Sequence, residues 1–188
     1  RSIRAFEESP LVSEIVLVAG KNREYVEAQA AACTKPVQVV QGGATRAESA
    51  KNGVLAAHGE LVAVHDAARP FVSEAVIEAV VKAAAKCGAA APAVPVKDTI
   101  KVVEGRIVKS TPDRASLYAV QTPQVFDFDI LRGALAKANA DNAKLTDDCS
   151  AVERIGFSVK IVEGDERNLK VTTPLDLKIA ELLLEETR

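Results

Sequence analysis

The stretch Leu61-Val62-Ala63-Val64-His65-Asp66-Ala67-Ala68-Arg69-Pro70-Phe71 decides the reading of this chain. Four short apolar residues run into a carboxylate, two small residues and then Arg-Pro. That order predicts a buried strand emptying into a tight loop. In open α/β sheets, ligands gather outside the carboxyl ends of the strands. The loop therefore sets an acid and a guanidinium at the expected binding edge. Ala67 and Ala68 leave room for a bulky group against the backbone. A carboxylate suits a divalent cation and an arginine suits a phosphate, the pairing that nucleotidyl transfer requires.

Outward from that loop, strands alternate with helices. Glu14 to Gly20 reads as a strand and Asn22 to Ala32 as a helix by composition. Val37 to Val40 is a second strand, followed by Gly42-Gly43. Thr45-Arg46-Ala47-Glu48 has the capping-box pattern and opens a helix that runs to His58. Ser73 caps a helix over Glu74 to Lys86, and Ala89 to Val96 is a fourth apolar strand. This alternation predicts a doubly wound α/β fold, a mostly parallel, Rossmann-like sheet with helices on both faces.

The pattern then changes. Thr99 to Val103, Arg106 to Lys109 and Leu117 to Val120 are short strand-like pieces with no helix among them. They predict a projecting β-arm over residues 97–118, inserted in a single domain over residues 1–188. Helix returns over Asp129 to Ala138 and Asp147 to Ile155. Ser158 to Val162 is a further strand, and Thr173-Pro174-Leu175-Asp176 starts the last helix. An isolated hairpin is marginal in water and presents open edges, so the arm is expected to pair with a second copy as a homodimer.

Composition narrows the class. The chain has 188 residues, with 48 % hydrophobic and 27 % charged, which fits one well-buried domain. A net charge of -2 argues against a nucleic-acid or membrane-surface partner. No apolar run approaches the roughly 20 residues that span a bilayer. Cys33, Cys87 and Cys149 lie far apart without metal-ligand spacing, so free thiols in a reducing cytoplasm are expected. The chain contains no Met and opens on Arg1-Ser2-Ile3-Arg4-Ala5-Phe6, which reads as the interior of an amphipathic helix. The expectation is a sequence that begins part-way into a domain.

Several segments occur together and in order: Gly42-Gly43-Ala44-Thr45-Arg46-Ala47-Glu48-Ser49, His65 to Phe71, Val96-Lys97-Asp98-Thr99-Ile100-Lys101, Ala119-Val120-Gln121-Thr122-Pro123-Gln124-Val125-Phe126, Leu145-Thr146-Asp147-Asp148 and Asn168-Leu169-Lys170-Val171-Thr172-Thr173-Pro174. Taken as a set, they resemble the 2-C-methyl-D-erythritol 4-phosphate cytidylyltransferases of the non-mevalonate isoprenoid pathway. The related ribitol-5-phosphate cytidylyltransferases share the nucleotide half. The Asp66-to-Arg69 and Val96-to-Lys101 segments look more like the methylerythritol enzymes. Members of that family start with a strand and a Gly-rich, basic loop that wraps the CTP phosphates, and this sequence holds no counterpart of it. A nucleotide-binding domain without turnover is the alternative from a different class.

The resemblance implies roles that single residues would not. Gly42 and Gly43 alone could be a turn. The family match places them with Ser49, Asp66 and Ala67 around CTP. Asp66 alone reads as a loop acid capping local amides, whereas the resemblance makes it the Mg²⁺ ligand. Arg69, Thr99, Arg114, Thr122, Thr146 and Thr172 match positions around methylerythritol phosphate. Lys170 matches the lysine that reaches the reacting phosphate. His65 reads as a structural histidine, and Asp147 and Asp148 as first-turn acids of a helix. The resemblance further implies that Arg114 and Thr99 of the arm complete the neighbouring subunit's pocket.

The chemistry fits a sparse set of acid–base groups. A phosphate monoester has its second pKa near 6, so about neutral pH the nucleophile is already largely dianionic and needs no general base. The two histidines, His58 and His65, and the lack of any evident Ser-His-Asp or Cys-His set are awkward for a hydrolase. They are natural where catalysis consists of aligning two anions and neutralising charge.

Overall fold

The computed structural model describes residues 1–186. In chain order the elements are α1 (Ser2–Glu8), β1 (Ile15–Ala19), α2 (Arg23–Ala30), β2 (Val37–Gln41), α3 (Arg46–Leu55), β3 (Leu61–Val64), α4 (Glu74–Cys87) and β4 (Ala89–Pro95). They continue with β5 (Val102–Glu104), β6 (Ile107–Ser110), β7 (Tyr118–Val120), β8 (Gln124–Asp127), α5 (Phe128–Ala140), α6 (Asp148–Arg154), β9 (Lys160–Glu163) and α7 (Pro174–Glu185). A single 3-10 turn, Arg114–Ser116, precedes β7.

The helix ends follow from their sequences. Ser73 accepts a hydrogen bond from Val76 N–H at the start of α4, and Gly88 closes that helix in the left-handed region. Thr173 and Asp176 form a reciprocal capping box with Pro174 in the first turn of α7. Thr45 likewise caps α3 through Glu48 N–H. The Glu48 carboxylate, however, accepts from Ala44 N–H at 2.7 Å, one residue outside the box expected from the pattern.

β4 is the axis of the main sheet. Its alternating residues face opposite layers. Ala89 and Ala91 pack with Phe126 against Leu131, Leu135, Cys149 and Val152 of α5 and α6. Ala90 packs with Val125 against Val80, Ala83 and Ala84 of α4. Alanines on a central strand let the helices on both faces approach closely. A third cluster joins Phe6 of α1 to Val72, Val76 and Ile77. The helix anticipated at the very start of the chain is therefore present and docked.

The sheet departs from the mostly parallel expectation. β1 and β2 pair in parallel as a separate two-stranded sheet rather than as part of one continuous sheet, and in the main sheet β4 pairs with β9 in parallel. Between β3 and β4, however, lies β8, antiparallel to both. β7 continues the same antiparallel path along β4. β3, β4 and β9 therefore run in one direction with a reversed strand inserted. Sequence patterning missed β8 because Gln124-Val125-Phe126-Asp127 is only four residues long and polar at both ends. It also follows Thr122-Pro123, which is a cis peptide bond here and reads as a loop. Of the three strand pieces read into the arm, two form the β5–β6 hairpin, turned by Gly105 and Arg106, both at positive φ, while the third, β7, joins the main sheet beside β4 instead.

Candidate active site

The loop after β3 is held from three directions. Within the loop, Arg69 N–H donates to Asp66 O at 2.9 Å. From below, the Thr122 hydroxyl accepts from Asp66 N–H at 3.0 Å and lies 3.0 Å from His65 Nδ1. A hydroxyl that accepts the amide proton has its own proton to give to Nδ1. That assigns the His65 proton to Nε2, which faces Arg69 O at 3.1 Å. From the side, Ser2 of α1 donates to Ala67 O at 2.8 Å, and the Phe6 ring stands 4.8 Å from the His65 ring. His65 is thus the structural residue expected, with both ring nitrogens engaged.

The acid and the base of the site meet here. Lys170 Nζ lies 2.8 Å from Asp66 Oδ2, and Arg69 Nε lies 3.9 Å from the same oxygen. Burial works against the Asp66 charge, but the Lys170 ammonium, with Arg46 and Arg69 farther off, holds its carboxyl below the ordinary range. Lys170 arrives on the loop between β9 and α7, which is tied to the Asp66 loop by Val171 N–H donating to Ala68 O at 2.8 Å. Arg69 donates to Asn168 O at 2.7 Å on that same loop. Thr172 is engaged with the Asp176 carboxylate, by N–H at 3.0 Å and hydroxyl at 3.1 Å.

A second group of site residues forms a cavity at the carboxyl ends of β1 and β2. It has about 430 Å³ and is lined by Val18, Ala19, Gly20, Lys21, Gln41, Gly42, Gly43 and Ser49. Gly43 N–H donates to Ser49 Oγ at 3.1 Å, and Ser49 Oγ donates on to Thr45 O at 2.9 Å. A Cβ on Gly43 would lie 2.3 Å from Glu48 Cβ, so only glycine lets the loop fold this tightly on α3.

Arg46 leaves the same turn and makes a two-point contact with Asp148, at 2.7 and 3.3 Å. Asp148 is fully buried, and that burial raises its carboxyl pKa in spite of the arginine. Asp148 N–H and Cys149 N–H both donate to Gln124 Oε1, while Gln124 donates to Asp147. Asp147 is the N-cap of α6, with Thr146 exposed just before it. The sequence reading placed Asp148 correctly in the first turn, whereas Asp147 is the N-cap just before it, and it missed the cross-links through Arg46 and Gln124. It also passed over Gln121 and Asn168. Partners 23 to 102 residues apart leave no local pattern.

The structure thus brings together Asp66, Arg69, Thr122 and Lys170, while Gly42, Gly43 and Ser49 line the cavity at the ends of β1 and β2, linked to that group by the charge of Arg46 in the next turn. Thr99 and Arg114 stand apart on the exposed arm. Arg114 donates to Lys97 O at 2.9 Å, and among the described residues neither bonds to the Asp66 group.

A three-layer α/β fold, a small-residue cavity at the strand ends, and a carboxylate flanked by lysine and arginine together define a nucleotidyltransferase. Comparison with known proteins narrows the class. Residues 1–186 match the family described as 2-C-methyl-D-erythritol 4-phosphate cytidylyltransferase, and the chain belongs to that family. A relative of that name from Symbiobacterium thermophilum is 49% identical over 189 residues, covering 99% of this chain and 80% of the relative. Another, from Bacillus cereus, is 46% identical over 97% of this chain and 83% of its own. Among solved structures, 4-diphosphocytidyl-2C-methyl-D-erythritol synthase from Anaerococcus prevotii superposes with a TM-score of 0.91 at 31% identity, covering 97% of this chain and 83% of that one. The Thermus thermophilus cytidylyltransferase gives a TM-score of 0.81 at 34% identity, covering 97% and 85%.

The buried imidazole makes a testable demand. Its surroundings lower the His65 pKa from 6.5 to about 4, mainly through burial. Between those values the unfolded chain binds a proton that the folded chain does not, so stability falls as pH falls. His65 should cost about 2 kcal/mol of unfolding free energy between pH 7 and pH 5. Chemical denaturation at both pH values, on the native protein and on His65→Gln, checks this. The variant should lack that share of the pH slope, and equal slopes would contradict a buried neutral imidazole.

Proposed function

We infer that the protein transfers CMP from CTP to 2-C-methyl-D-erythritol 4-phosphate and releases pyrophosphate. The observation that carries the site assignment is the Asp66–Lys170 contact at 2.8 Å beside Arg69, together with the glycine-lined cavity at the ends of β1 and β2. The cavity, with its backbone amides and the Ser49 hydroxyl, suits a pyrimidine and ribose. Asp66 and Ala67 border the nucleotide phosphates. Arg69 and Lys170, with Thr172 beside Lys170 in sequence and Thr146 as the family resemblance implies, take the polyol phosphate. Thr122 bears on it through the Asp66 amide that it holds.

The reaction forms a bond from a phosphate monoester oxygen to the α-phosphorus of CTP and breaks the bond to the β-phosphate bridge. The attacking oxygen carries its charge already, so no side chain has to remove a proton. What remains is alignment and charge neutralisation. Lys170 supplies a mobile positive charge next to the reacting groups, and Arg69 a planar guanidinium for an anionic oxygen. Both are pre-set by the Asp66 loop.

A divalent cation fits this donor set. Mg²⁺ is usually held by one or two carboxylates, with substrate phosphates and water completing its shell. Among the described residues no cluster of three or more His, Cys, Asp or Glu side chains forms, while Asp66 stands partly exposed at the strand end. In this reading Asp66 is the protein's ligand, and bound Mg²⁺ neutralises charge on the triphosphate. No helix of the described residues is long and apolar enough to cross a membrane. Cys33, Cys87 and Cys149 are free, in keeping with a reducing cytoplasm.

Pyrophosphate release by the full-length protein with CTP and Mg²⁺ tests the assignment. Turnover should be clearly faster with methylerythritol phosphate than with ribitol 5-phosphate. Equal or better turnover with ribitol 5-phosphate would sink it.

We also propose that the arm makes a homodimer. Val102, Val103, Ile107 and Val108 of the hairpin are about half exposed or more. Two short strands do not hold themselves together in water, and pairing with a symmetry mate would cover them. Arg114 and Thr99 would then lie against the partner's phosphate side. Mixing Arg114→Ala with Asp66→Asn under subunit exchange tests this. Each mixed dimer would regain one sound site, so activity should partly return. No recovery after demonstrated exchange would assign each site to a single chain.

A further inference from the structure

We propose that Asn168 is a positioning residue for the reaction, the centre of a clasp that sets Lys170 and Arg69 in place. This rests on the assignment of Lys170 to the reacting phosphate. Asn168 is fully buried, although it sits in a loop between two exposed residues of opposite use, Arg167 on the surface and Lys170 in the site.

Each part of Asn168 holds a different segment. Its N–H donates to Asp165 O at 2.9 Å and closes a turn, in which Asp165 Oδ1 also accepts from Arg167 N–H at 2.8 Å. Its side-chain amide donates to Thr122 O at 2.9 Å and to Gln121 Oε1 at 3.3 Å. Its carbonyl accepts from Arg69 at 2.7 Å. One residue thus joins the Asp66–Arg69 loop, the β7–β8 junction that carries Thr122, and the Lys170 loop.

Gln121 is the other half of the clasp. Its Nε2 donates to Asp165 O at 2.8 Å, and its Oε1 accepts from Asp165 N–H at 3.2 Å as well as from Asn168. Gly164 makes room for it, since a Cβ there would stand 2.7 Å from Gln121 Oε1 and 3.1 Å from the Ala93 backbone. Lys170 then follows two residues after Asn168 and just before Val171, whose N–H is bound to Ala68 O. Its backbone is therefore pinned on both sides. A lysine side chain has large rotamer freedom, so fixing its root removes much of the search for Asp66 and the substrate.

Asparagine suits the position because its amide nitrogen can give two protons to two acceptors from a short stem. Aspartate has no such donors, and leucine of similar size has none. Both of its amide protons are used, one on Thr122 O and one on Gln121 Oε1, which a residue kept for packing alone would not need.

The test is a double-mutant cycle on kcat/KM for methylerythritol phosphate in the full-length enzyme. Asn168→Ala should lose on the order of 10²-fold, the scale on which about 1 Å of misplacement acts. In a Lys170→Ala background the same change should cost less than about threefold, because Lys170 is gone and Arg69 bonds the residue 168 backbone carbonyl, which alanine keeps. A substitution that merely loosens the fold lowers both backgrounds by the same factor, and that result would overturn the proposal. So would native kcat/KM in Asn168→Ala. If Lys170→Ala alone matches the native enzyme, the assignment of Lys170 fails instead. Should Asn168→Ala not fold, Gly164→Ala carries the same cycle, since it displaces Gln121 while keeping every polar group of the clasp.

Discussion

The Asp66–Lys170 contact is the constraint on which the rest of the site depends. Two charged groups from loops 104 residues apart in sequence must meet within hydrogen-bonding distance, partly out of water. A charge in that setting is costly unless its partner is held in place. The fold meets this need with backbone ties: Val171 to Ala68, Arg69 to Asn168, and Asp66 N–H to Thr122. Arg46, bound to buried Asp148, adds positive potential on the far side of Asp66. The acid is thereby kept ionised and the lysine kept near it.

This arrangement accounts for the use of the two histidines. His58 is on the surface, paired with Glu14, and His65 has both ring nitrogens committed to the loop. His65 therefore has no ring nitrogen left to move a proton, and among the described residues His58 makes no bond to the Asp66 group. The chemistry does not ask for a proton transfer, because the nucleophile is ionised before it binds. The chain instead spends buried polar groups on geometry: Thr122, Gln121, Gln124 and Asn168 are buried and each bonds a backbone group of a neighbouring segment, while buried Asp148 holds the Arg46 guanidinium. Buried polar bonds of this kind hold loops in defined positions, which is what in-line transfer between two anions requires.

The layer architecture, most elements, the arm and the Asp66 loop were legible in the sequence because they rest on local signals. Strand runs ending in Gly or Asp and the Ser73 and Thr173 caps each announce themselves within a few residues. β8 was not legible. Its residues alternate poorly, and its antiparallel place is dictated by β3 and β4 on either side. The same limit hid the polar supports. Gln121 and Asn168 look like ordinary loop residues until the β7–β8 junction and the β9–α7 loop are seen to touch. Thr122 could be tied to the substrate side by resemblance, but its bond to the Asp66 amide appears only in three dimensions.

The central claim, under the function proposed above, is that Lys170 is paired with Asp66 in the free protein and faces the phosphates of CTP when it binds. The most direct measurement follows the Lys170 ammonium by NMR after ¹³C-methylation of lysines, with its signal assigned by its loss in Lys170→Arg. Addition of CTP and Mg²⁺ together should move that resonance, and Asp66→Asn should move it without ligand. A Lys170 signal that stays fixed through both changes would contradict the account.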